Sequence, residues 1–66
     1  MNQLDIFRCA RILMDRHGDD APIHAAMRAD ELDAAGDEAG RRVWVAIIAA
    51  VGELSRHERR PSEALQ

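Results

Sequence analysis

Nine apolar residues, Val43 to Val51, follow one another without a break inside "RRVWVAIIAAVGELSRHERR", and this run limits the chain more than any other feature. It is far shorter than the about 20 apolar residues a membrane-spanning helix requires, so its cover must come from protein. At helical spacing Trp44, Ile47, Ile48, Val51 and Leu54 form one stripe, with the smaller Val45, Ala49 and Gly52 on another side. A helix that is apolar nearly all round needs cover nearly all round. Trp44 is expected to anchor the core, and the small-residue side invites close approach by the second helix of the same chain or by a second copy.

The cover has to be built within 66 residues, near the lower limit for a single core. One cysteine, Cys9, rules out an internal disulfide, and no paired Cys and His stand at zinc spacing. Packing and oligomerisation remain as sources of stability. The composition, rich in Ala, Arg, Asp and Glu and devoid of Lys, Tyr and Thr, favours helix.

Two glycines divide the chain into three helical segments. The first is predicted from Gln3 to His17, closed by Gly18, with Ile6, Phe7, Cys9, Ala10, Leu13, Met14 and His17 on one face and Leu4 and Ile12 off it. The second opens at "DDAPIH", with Asp19 or Asp20 as N-cap and Pro22 in the first turn, and ends at Gly36. Ile23, Met27 and Ala34 mark one side of it, and Ala25, Ala29 and Leu32 lie nearly opposite. The third starts behind Asp37 as cap and Glu38 in its first turn and is expected to run to about Glu58. The expectation is an all-α, compact three-helix bundle over residues 1–60, with short turns at Gly18 and Gly36 and a polar, flexible tail over 61–66.

Few residues suggest chemistry. Asp15, His17, Asp19, Asp20 and His24 crowd one turn and offer metal-binding side chain types, but capping and dipole roles account for them more simply. His17, on the apolar face, is expected to satisfy its ring within the protein. Arg28 and Asp30 are set in an otherwise apolar stretch, where an inward ion pair would orient packing. Cys9 reads as a small core residue. Ser55 and Ser62 have no triad around them, and no glycine-rich phosphate loop is present. No catalytic residue, metal, cofactor or small-molecule substrate is expected.

Net charge is −3, which argues mildly against general binding to nucleic acid or an anionic membrane. The charge is uneven: Arg56, His57, Arg59 and Arg60 gather at one end of the third helix and Arg41 and Arg42 at the other. Phosphate would suit the former group, so a nucleic-acid-associated regulator is the alternative reading. No positively charged leader precedes an apolar segment, and the unpaired thiol suits a reducing compartment, so a cytoplasmic setting is expected. The favoured role is non-enzymatic protein binding, as a homodimer or with another protein. The candidate contact residues are Leu4, Ile12, Val45, Ala49, Arg56, Arg59 and Arg60.

The stretches "HGDDAPIHAAMRADEL", "AGDEAG" and "VWVAIIAAVGEL" together resemble a family of short bacterial proteins of uncharacterised function. That resemblance implies an all-helical domain and carries no known catalytic residues. "ADELDAAGDEAG" followed by an apolar helix is also similar to one helical hairpin of a tetratricopeptide repeat, without the second copy that a 34-residue period requires.

Overall fold

The computed structural model describes the backbone of residues 2–64 and the side chains of residues 2–57. All regular structure among them is helical: α1 (Gln3–His17), a 3-10 turn (Gly18–Asp20), α2 (Ala21–Ala34) and α3 (Glu38–Ala64). The 27-residue α3, about 40 Å long at helical rise, is the spine. It spans most of the 46 Å long axis of a 46 × 23 × 16 Å molecule. α2 packs along α3 most extensively, α1 packs on α3 next, and α1 and α2 touch each other least.

Local chemistry explains where each helix begins and ends. Asn2 caps α1, its side-chain oxygen accepting the Asp5 N–H at 2.9 Å. α1 stops at Gly18, whose φ of 58° and ψ of −127° lie where residues with a Cβ are disfavoured. α2 stops at Gly36, with φ 78°. There Gly36 N–H donates to the Asp33 carbonyl and Asp37 N–H to that of Leu32, at 3.0 and 2.9 Å. This paired closure is the Schellman arrangement, which satisfies carbonyls left over at a helix end. Asp37 then caps α3 by accepting the Gly40 N–H at 2.9 Å, as expected.

Two boundaries differ from expectation. Asp20 occupies the N-cap position of α2, yet its side chain makes no capping bond. The 3-10 turn leads straight into the helix, so the Gly18 carbonyl already takes the Ala21 N–H, and Pro22 has no N–H to offer. The backbone of α3 also continues past Pro61 to Ala64, although a proline inside a helix removes one backbone donor and crowds the preceding turn. Of the expected tail, residues 65 and 66 lie outside the described residues.

The core is built largely of alanine. Among the described residues Ala10, Ala21, Ala25, Ala29, Ile47, Ala50 and Val51 are buried, and only Ile47 and Val51 are large. Ala21, Ala25 and Ala29 repeat every fourth residue along α2 and let its backbone come close to α3. The opposite stripe of α2, Ile23 and Met27, faces outward. Trp44 corrects its expected role: with Ile48 and Leu54 it is half-buried at the margin of the core. It sits about 60° round the helix from Ile47, and the alanines of α2 are too short to enclose an indole.

Candidate functional site: an apolar groove between α1 and α3

Where the first turns of α1 cross the middle of α3, the two helices leave a groove of about 710 Å³. Its floor is formed on α3 by Ala46, Ala49, Ala50 and Gly52, its wall on α1 by Ile6 and Phe7. Gln3, Glu53 and Arg56 complete the lining and make one end polar. The space exists because the floor residues carry a methyl group or less. Its lining holds apolar carbon, Gln3 and the Glu53–Arg56 charge pair.

The expected contact residues divide around this groove. Ala49 lines it. Leu4, 61 % exposed, lies on the flank of α1 next to Phe7, and Val45, 45 % exposed, stands one turn before Ala49 on α3. Ile12 is exposed but is brought elsewhere, about 140° round α1 from Phe7. Arg56 reaches Glu53 at 3.3 Å, both side chains more than half exposed. The side chains of Arg59 and Arg60 lie outside the described residues. Ile6 and Phe7, read from periodicity as core, supply the wall; the small side of α3 signalled the floor, but nothing local signalled where α1 crosses it.

The polar clusters resolve into structural contacts. The His17 and His24 rings stack, with centroids 3.7 Å apart and planes 17° from parallel. Near-parallel rings at this separation aim their nitrogens side by side instead of converging on one point. Among the described residues no group of three or more His, Cys, Asp or Glu is placed to hold a metal ion. Arg28 and Asp30 are both exposed, and Arg28 pairs with Glu31 at 3.0 Å. An inward Arg28–Asp30 pair is therefore not formed, because the buried face of α2 is its alanine stripe. Cys9 is a half-buried free thiol against the core.

At the α2–α3 hairpin, Arg41 joins the two helices. Its guanidinium lies 3.0 Å from Glu38 and 3.7 Å from Asp33. The hydrogen bond and charge of Glu38, helped by the charge of Asp33, hold its pKa above the ordinary arginine value. Arg42 also reaches Glu38, at 3.6 Å. Both basic residues at this end thus have acidic neighbours.

No helix among the described residues is long and apolar enough to cross a membrane. No protein-family model, curated protein or solved structure matches the chain.

Proposed function

We propose that this chain is a small, non-enzymatic helical protein that works through protein contacts, self-association among them. One observation carries the reading: a single copy leaves an apolar groove open along its longest helix while fully burying, among the described residues, only two large side chains, Ile47 and Val51. Leu4 and Val45 extend the uncovered surface beside the groove. A chain this short also gains from association, since its own core buries so little. The free thiol of Cys9 suits a reducing, cytoplasmic setting.

Molar mass by light scattering over a dilution series tests this. A mass of twice the single chain, falling on dilution, is the expected result. A single-chain mass at every concentration removes self-association and leaves only a different protein as partner.

A further inference from the structure

We draw no further inference here: the strongest candidate, the apolar groove between α1 and α3 lined by Ile6, Phe7, Ala49 and Gly52, is an unpartnered face, and nothing in the structure shows what covers it.

Discussion

His17 closes α1 and His24 lies in the first turns of α2, and their imidazoles stack with centroids 3.7 Å apart across the break between the helices. Gly18 turns the chain between them, so the stack is the side-chain counterpart of a backbone bend. It joins two helices that otherwise touch little.

If the stack holds the bend, its worth is a coupling between the rings and not the sum of two deletions. A double-mutant cycle of His17→Ala and His24→Ala, followed by urea denaturation, is expected to give a coupling of about 0.5–1.5 kcal/mol, as for other stacked aromatic pairs. Additive losses would mean that the rings are neighbours without being partners.

The bend itself depends on Gly18. Its φ of 58° with ψ of −127° is a conformation that a Cβ opposes even though nothing crowds the position. Gly18→Ala is therefore expected to cost about 1–3 kcal/mol. Thermal melts of the variant against wild type measure it, and an unchanged midpoint would show that the bend forms without glycine.

Much of this architecture is legible in the sequence because it is local. Gly18, Gly36 and Asp37 announce their boundaries through backbone freedom and capping, which involve a few neighbouring residues. The orientation of α2 is not local. Its Ile23–Met27 and Ala25–Ala29 stripes both satisfy helical period, and hydrophobicity alone favours burying the larger pair. The alanines go inward and share one buried cluster with Ile47 and Val51, where their short side chains let α2 lie close along α3. Trp44 is half-buried for the same reason, and the groove arises from where α1 crosses α3, which no short stretch encodes.

The alanine stripe predicts intolerance of bulk. Ala25 is fully buried against the core, whereas Ala26 next to it is exposed. Ala25→Leu is expected to lose about 1–3 kcal/mol through overpacking, while Ala26→Leu changes stability little. Urea titrations of the pair compare them; equal behaviour would place the α2–α3 contact on a different face.

Arg41 ties α2 to α3 through Asp33 and pairs with Glu38 on its own helix, and its Nε is buried without a hydrogen-bond partner. Its raised pKa means that this stabilisation is fully present below the ordinary arginine value and would be lost only as pH rose through the higher folded one. Salt, not alkali, is therefore the practical lever. Arg41→Gln should lower the melting temperature at low ionic strength by more than Arg42→Gln does, and the gap should narrow as salt is raised. A gap independent of salt would assign the effect to packing of the Arg41 stem.

Ile47 and Trp44 separate size from burial. Trp44 is the larger side chain, but Ile47 is 2 % exposed and lies within the core, while Trp44 lies at its margin. Deleting buried methylenes removes transfer free energy and leaves a cavity, and a side chain already partly in water loses less of both. Ile47→Ala is accordingly expected to cost about 2–5 kcal/mol, enough to unfold a chain of this size or nearly so. Trp44→Ala should cost less and keep a cooperative melt, followed by far-ultraviolet circular dichroism. If Trp44→Ala proves the more damaging, the indole is enclosed in solution by something a single copy does not supply, and the covered surface must extend round α3 from the groove to the Trp44 side.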